Sequence, residues 1–192
     1  MASLDLETRE RILVLLRGRL KPGRVQHVLG VTELILRIAA REGLDPAKAE
    51  TAALLHDLCR GYSGEEMLAA AAKYGIAVDA SAANHPMLLH GPVAAAEGSA
   101  LLGVSDAEVL EAVAVHTLGK AGMGRLAQAL YVADFSEPNR RYPEAAEARA
   151  VLEEAGLDAA LRFVAEQKAA AHAEDEDTAF LAWAREKAAR HG

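Results

Sequence analysis

Cysteine is almost missing from this chain of 192 residues. Cys59 is the only one, which excludes an internal disulfide and any zinc or iron–sulfur site built from several cysteines. A metal ion bound here would therefore need nitrogen and oxygen ligands from histidine and carboxylate side chains.

Long apolar runs and an excess of basic residues are missing as well. No stretch approaches 18 consecutive apolar residues, and residues 1–5 lack the layout of a signal peptide, so we expect a cytoplasmic protein with no membrane partner. The formal net charge of −7 argues against a nucleic-acid partner, but it leaves room for a local basic pocket that binds a small phosphate compound. Aromatic residues make up only 4% of the chain, and none is placed securely enough to predict a base preference.

Apolar residues, by contrast, make up 52% of the chain, and much of that is alanine, which favours helix because it loses no side-chain entropy there. Their spacing of three and four residues predicts amphipathic helices over residues 3–20, 24–43, 46–57, 63–74, 92–103, 105–116, 126–134, 144–154, 158–172 and around 180–183. No alternating stretch is strong enough to predict a strand. We therefore predict an all-α fold in a single domain, residues 1–192, with a core at about 20–150 and a helical C-terminal extension.

The joints between these helices carry specific end signals. Lys21-Pro22-Gly23 is expected to end the first helix, and Gly43 the second. Asp45-Pro46 is expected to begin the third helix, and Ser63 with Glu66 forms a capping box for the fourth. Residues 76–87 lose periodicity and are expected to be irregular, and Pro92 is expected to open the next helix.

Two polar residues, His56 and Asp57, stand where the apolar run of the third helix predicts burial. An ionised carboxylate in an apolar setting needs a cation, and the closest one in sequence is Arg60. Two interpretations are open from this pair alone. Either Asp57 pairs with Arg60 while His56 bonds a neighbouring helix, or both side chains bind a metal ion.

Four further polar residues share this setting at helix ends or on buried stripes, and the full set is His27, His56, Asp57, His90, His116 and Asp134. Four imidazoles and two carboxylates are suitable ligands for divalent iron, manganese or zinc. The remaining histidines, His85, His172 and His191, lie in irregular or charged surroundings and are expected at the surface.

The order of these residues resembles the HD-domain metal-dependent phosphohydrolases, which carry a histidine, a His-Asp pair and a later aspartate. Here these are His27, His56-Asp57 and Asp134. More narrowly, the chain is similar to the bacterial YqeK family of symmetrical bis(5'-nucleosyl)-tetraphosphatases. The blocks that carry this similarity are residues 24–31, 52–57, 88–93, His116-Thr117 with Gly119, and Asp134 with Glu137-Pro138-Asn139-Arg140.

The resemblance implies an HD-domain helical bundle that hydrolyses a dinucleoside polyphosphate, diadenosine tetraphosphate, to two ADP. The implied cofactor is a divalent metal, iron with manganese as the alternative, held by His27, His56, Asp57 and Asp134. Asp57 is also the expected catalytic proton acceptor. The expected substrate-binding residues are Arg24, Gly30, Arg60, His90, His116, Thr117, Lys120, Asp134 and Arg140.

Several alternatives stay open at this point. One ion is expected, but His90 and His116 could bind a second. The chain could act on another nucleotide, as a nucleotidase or phosphodiesterase, or it could be a nucleotide-sensing domain without turnover. Arg60 and Leu118 depart from the family pattern, and residues after Glu154 match it only loosely. A homodimer is a further alternative, because the first helix and the 180–183 stripe could each pack on a partner, although packing on the core is favoured.

Overall fold

The computed structural model describes residues 5–171 and 178–189, and within these ranges the chain is helical with no strand. This confirms the predicted all-α fold. The helices are α1 (Leu6–Arg19), α2 (Pro22–Glu42), α3 (Pro46–Leu55), α4 (Gly64–Lys73), α5 (Ala80–Asn84), a 3-10 turn (Pro86–Leu89), α6 (His90–Leu102), α7 (Ala107–Val115), α8 (Arg125–Ser136), α9 (Pro143–Ala171) and α10 (Thr178–Ala189).

Most of the predicted end signals are confirmed. Gly43 ends α2 with a left-handed φ of 68°, which glycine adopts without steric cost. The Asp45 side chain accepts hydrogen bonds from the first turn of α3, and Ser63 forms the expected capping box with Glu66 at the start of α4. α9 contains a break at Gly156, where φ is 83°, so it matches the two helices predicted on either side of that residue.

Three predicted boundaries are wrong. α2 begins at Pro22 rather than after it, because proline fits the first helical turn, where its missing N–H is not needed. Residues 76–87 are not irregular throughout, since the Asp79 side chain caps the short helix α5 and a 3-10 turn follows from Pro86. That turn leads straight into α6, which begins at His90 and not at Pro92.

The core lies where α2, α3, α7 and α8 pack on one another, with α6 on α7 and α9 on α8. α2 contributes a buried stripe at three- and four-residue spacing, formed by Val28, Val31, Leu34, Ile35 and Ile38. His27 is 7% exposed beside this stripe, so it points into the protein as its spacing predicts. The helices that carry the polar candidates therefore meet inside one core.

The C-terminal helices pack on this core. α10 lies against α9, and Phe180 and Leu181 of α10 are buried, as favoured for the 180–183 stripe. His85 is exposed, as expected. The predictions for His172, His191 and the acidic residues 174–177 fall outside the described residues. Among the described helices, none is long and apolar enough to cross a membrane.

Candidate metal centre and adjoining cavity

The structure brings all six polar candidates to one place. His27 lies on α2, His56 and Asp57 directly follow α3, His90 begins α6, His116 directly follows α7, and Asp134 lies in the last turn of α8. Five of these side chains belong to buried residues, and Asp134 is partly exposed. Four helices, α3, α6, α7 and α8, bring an end to this point, whereas His27 lies in the second turn of α2.

Three of the four imidazoles are held by the same local contact. The ring Nδ1 donates to the carbonyl oxygen three residues earlier: His56 to Ala53 (2.6 Å), His90 to Met87 (2.6 Å) and His116 to Val113 (2.7 Å). A carbonyl oxygen only accepts, so Nδ1 must carry the proton. In the neutral ring Nε2 is then an acceptor, and in each case it faces the centre of the site.

A first cluster forms around His27, His56 and one oxygen of Asp57. His27 Nε2 lies 3.0 Å from Asp134 Oδ1 and 3.7 Å from Asp57 Oδ2. His56 Nε2 lies 3.4 Å from His27 Nε2 and 3.5 Å from the same Asp57 oxygen. On the far side of the ring, His27 Nδ1 lies 3.3 Å from Glu137 Oε1, which fixes the orientation of this imidazole.

A second cluster forms around His90, His116 and the other oxygen of Asp57. The two Nε2 atoms lie 3.0 Å apart, and His90 Nε2 is 3.5 Å from Asp57 Oδ1. Thr117 Oγ1 lies 3.2 Å from His90 Nε2. Asp57 therefore presents Oδ2 to one pair of histidines and Oδ1 to the other, an arrangement suited to a carboxylate shared by two metal ions.

The protonation states of these groups call for a cation. Burial lowers the pKa of His116 to about 3, and burial also lowers the pKa of His90, so both rings are neutral at pH 7. Burial alone would raise the pKa of Asp57 and of Asp134, but contacts within the site lower both, His56 acting on Asp57 and the hydrogen bond from His27 acting on Asp134. The Nε2 acceptors of His56 and His90 face the Asp57 carboxylate, and that of His116 faces His90, which is unfavourable unless a cation lies between them. A divalent metal ion fits these donors.

The structure corrects the expected environment of Asp57. Its nearest cation is Arg24, whose Nη1 lies 3.0 Å from Asp57 Oδ2, and not the sequence neighbour Arg60. Arg140 makes the corresponding contact with the other carboxylate, with Nη2 3.3 Å from Asp134 Oδ1. Arg60 instead lines the adjoining cavity. Both clusters and a cationic partner therefore contact the same aspartate.

A cavity of about 760 Å³ opens onto the metal centre, within the usual range for small-ligand sites. Asp57, His90, Thr117 and Asp134 form its floor, and four cations line it, namely Arg24, Arg60, Arg140 and Lys168. The lining also includes apolar and aromatic side chains, namely Leu118, Tyr131, Phe135, Tyr142 and Phe180. Four aromatic rings thus line the cavity, although none of them could be placed securely from the sequence alone.

Three predicted substrate-binding residues do not line the cavity where the chain is described, and one of them, His116, is buried in the second histidine cluster. Lys120 is exposed on the joint after α7 and does not line the cavity as far as the chain is described. Gly30 packs under the loop after α8, where an added Cβ would overlap Glu137 Oε2 and lie 2.7 Å from Asn139 Nδ2. The observed position of Gly30 allows Glu137 to reach His27, and its substrate contact stays a prediction.

Two residues of the site were missed from the sequence. Glu137 belongs to one of the blocks that carry the family resemblance, but no local pattern indicates that it contacts His27, which lies 110 residues earlier. Lys168 lies on α9, in the part of the chain that matches the family pattern only loosely, and no local signal distinguishes it from a surface lysine.

Comparison with known proteins gives three findings. The HD domain family model matches residues 24–152. Two similar proteins are named bis(5'-nucleosyl)-tetraphosphatase, symmetrical. The one from Bacillus subtilis (strain 168) is 37% identical, and the alignment covers 76% of this chain and 77% of that protein. The one from Halalkalibacterium halodurans is 33% identical, and the alignment covers 70% of this chain and 72% of that protein. A solved structure from Clostridium acetobutylicum, described as an HD superfamily hydrolase involved in NAD metabolism, has a TM-score of 0.86, 25% identity and 100% coverage of both chains.

Proposed function

The chain belongs to the HD-domain family and, within it, to the symmetrical bis(5'-nucleosyl)-tetraphosphatases, and we propose that it hydrolyses diadenosine tetraphosphate to two ADP in a metal-dependent reaction. One molecule of water enters and the central P–O–P bridge breaks, so each half leaves as a nucleoside diphosphate. The observation that carries this proposal is the position of Asp57, between two histidine pairs on the floor of a cavity lined by four cations.

Metal ions held by these residues would activate water and offset negative charge on the phosphoryl oxygens. We propose His27, His56, Asp57 and Asp134 as ligands of one ion, and Asp57, His90 and His116 as ligands of a second. Iron is the proposed metal and manganese the alternative, since imidazole and carboxylate donors suit both.

The substrate carries several negative charges on an acidic protein, so its polyphosphate needs a local cationic surface. Arg24, Arg60 and Arg140 line the cavity and supply planar donors suited to phosphate oxygens. The partly exposed rings of Phe135 and Tyr142 offer apolar surface on which an adenine ring could stack. The cavity therefore offers both kinds of contact that a nucleotide needs.

The role of Asp57 as proton acceptor stays a prediction, and its environment favours the role of ligand. Its pKa lies below the usual range, which makes the carboxylate a weaker base, and both of its oxygens face histidine pairs. We propose that Asp57 holds the ions and orients the attacking water. The cytoplasmic location, the absence of a nucleic-acid partner and the homodimer likewise stay predictions.

Product analysis tests the proposal. The native chain, loaded anaerobically with iron or manganese, is expected to convert diadenosine tetraphosphate to ADP alone, whereas Asp57→Ala is expected to be inactive. Glu33→Ala, a carboxylate on the exposed face of α2, is the matched control and should behave as the native chain does. AMP together with ATP would show attack at a different phosphorus, and substrate binding without turnover would contradict the hydrolase assignment.

A further inference from the structure

Lys168 is a cation on the cavity wall that the metal centre does not explain. It lies on α9, beyond the 24–152 segment that matches the family model, and its ammonium reaches back towards the site. Nζ donates to the carbonyl oxygen of Thr117 at 3.0 Å and lies 3.9 Å from the centre of the Tyr131 ring. The C-terminal part of the chain therefore contributes a charged group next to the histidine clusters.

This ammonium has no ion-pair partner at contact distance in the described part of the chain, although the charge of Asp134 acts on it from farther away. Arg24 and Arg140 on the same cavity are paired with Asp57 and Asp134, but no described carboxylate lies within ion-pair distance of Lys168. An ammonium has three N–H donors, and only one of them is used, by the Thr117 carbonyl. Burial lowers the pKa of Lys168 to about 8, which reflects the cost of a charge held away from water.

We propose that Lys168 is a substrate-binding residue that donates to a phosphate oxygen of the nucleotide in the cavity. The inference rests on the proposed function, because it takes the anionic ligand to be the polyphosphate of the substrate or the diphosphate of the product. A phosphate oxygen would supply a negative charge in direct contact with the ammonium and would accept a hydrogen bond from one of the two remaining N–H groups.

A structural role is the competing explanation, because the bond to Thr117 could serve only to hold the segment that follows His116. The two roles depend on different properties of the side chain. Holding Thr117 requires a donor, whereas binding phosphate requires a positive charge. Lys168→Gln keeps a donor but removes the charge, and Lys168→Met removes both.

The experiment measures binding of ADP and of adenosine to the metal-loaded native chain, Lys168→Gln and Lys168→Met by calorimetry. Lys73→Met is the matched control, because the Lys73 ammonium also lies over a tyrosine ring, 4.9 Å from the centre of Tyr74, but it is exposed and far from the cavity wall. Losing the charged hydrogen bond should weaken the binding of ADP about tenfold or more in both Lys168 variants. Adenosine binding and the thermal midpoint of Lys168→Gln should stay close to those of the native chain.

Native ADP affinity in Lys168→Gln would overturn the proposal and leave Lys168 with the structural role. Equal losses for ADP and adenosine would overturn it too, because they would show damage to the cavity rather than loss of a phosphate contact. If Lys168→Met does not fold, Lys168→Gln still decides between the two roles. If the native chain does not hydrolyse diadenosine tetraphosphate but the ADP result holds, the proposed function fails and the phosphate contact stands.

Discussion

The molecule contains two buried polar clusters, and they differ in whether each hydrogen-bond acceptor has a donor within the protein. In the first, which we call the Glu97 cluster, Arg19 donates to Glu97 Oε2 at 2.5 Å and Tyr62 donates to Oε1 at 2.8 Å. Both oxygens of this buried carboxylate therefore have a donor. In the metal centre, the Nε2 atoms of His90 and His116 face each other at 3.0 Å and both are acceptors.

Burial alone does not separate a structural cluster from a functional one, since Glu97 and Asp57 are 6% and 2% exposed. The Glu97 cluster is complete within the protein, and it joins the end of α1 to α6. The metal centre is complete only with a cation added. The chemistry of the partners, and not the depth of the group, indicates which cluster binds a ligand.

The largest difference between the two clusters should appear when Asp57 and Glu97 are each replaced by the corresponding amide. Asp57→Asn is expected to lose bound metal and to lower kcat/KM about a thousandfold or more, because it removes a ligand shared by both histidine pairs. The unfolding free energy of its metal-free form should change by less than about 1 kcal/mol, since Arg24 is exposed enough to be solvated. Metal analysis, kinetics and urea unfolding provide the three measurements.

Glu97→Gln is the corresponding change in the Glu97 cluster, and here we expect a loss of stability with little change in metal content or activity. It removes the charge that pairs with Arg19, whose side chain is 25% exposed, so we expect a loss of about 2–3 kcal/mol in unfolding free energy. Metal content and kcat/KM of the folded protein should stay near the native values. A large loss of metal in Glu97→Gln, or of stability in metal-free Asp57→Asn, would contradict the distinction between the clusters.

The two clusters can also be compared by adding a methyl group at a tightly packed glycine next to each of them. Gly30→Ala would push the flexible side chain of Glu137 away from His27, and losing such a contact is expected to lower metal affinity or activity about 10- to 100-fold. Gly61→Ala would push against the backbone oxygen of Arg19, which cannot yield as easily, so we expect a stability loss of about 1–3 kcal/mol. Metal titration and urea unfolding of both variants check the pair, and effects of the opposite kind would contradict it.

The smallest expected effect is a decrease in the unfolding free energy of the metal-free protein as the pH falls. The folded state holds His116 neutral down to a pKa of about 3, whereas in the unfolded chain this imidazole takes up a proton near its ordinary pKa of 6.5. The unfolded state thus binds more protons, and stability should fall by about 1 kcal/mol from this residue between pH 6.5 and 5.5. Urea unfolding of chelator-treated His116→Asn should show a flatter profile, while the exposed His85→Asn should follow the native one.

Local sequence patterns predicted much of this molecule. Helix periodicity and capping residues such as Ser63 act within a few residues, so the all-α fold and most helix ends followed from the sequence, whereas the HD arrangement was implied by the family resemblance. The six polar candidates were also found, because a histidine or aspartate at the end of an apolar run is visible locally. Their meeting at one point agrees with that expectation, while their individual roles stay predictions.

Contacts between distant segments were not predictable in this way. The Arg24–Asp57 pair joins residues 33 apart, and the Lys168–Thr117 bond joins residues 51 apart. Neither has a periodicity or a spacing that a single sequence could reveal. The aromatic rings that line the cavity were not predictable for the same reason, since Tyr131 and Phe180 lie on different helices and meet only when these helices pack together. Knowledge of helix packing was required before these groups could be assigned to the site.

The bonds from His56, His90 and His116 to carbonyls three residues earlier have a consequence for metal loading. Each of these bonds ends on the protein's own backbone, so we expect the rings to lose little side-chain entropy when an ion binds. The core is apolar and extensive without the ion, so folding does not wait for metal as it does in a zinc finger. We therefore expect a preorganised site for a divalent ion, and we expect the supply of ions around the protein to influence which one it carries.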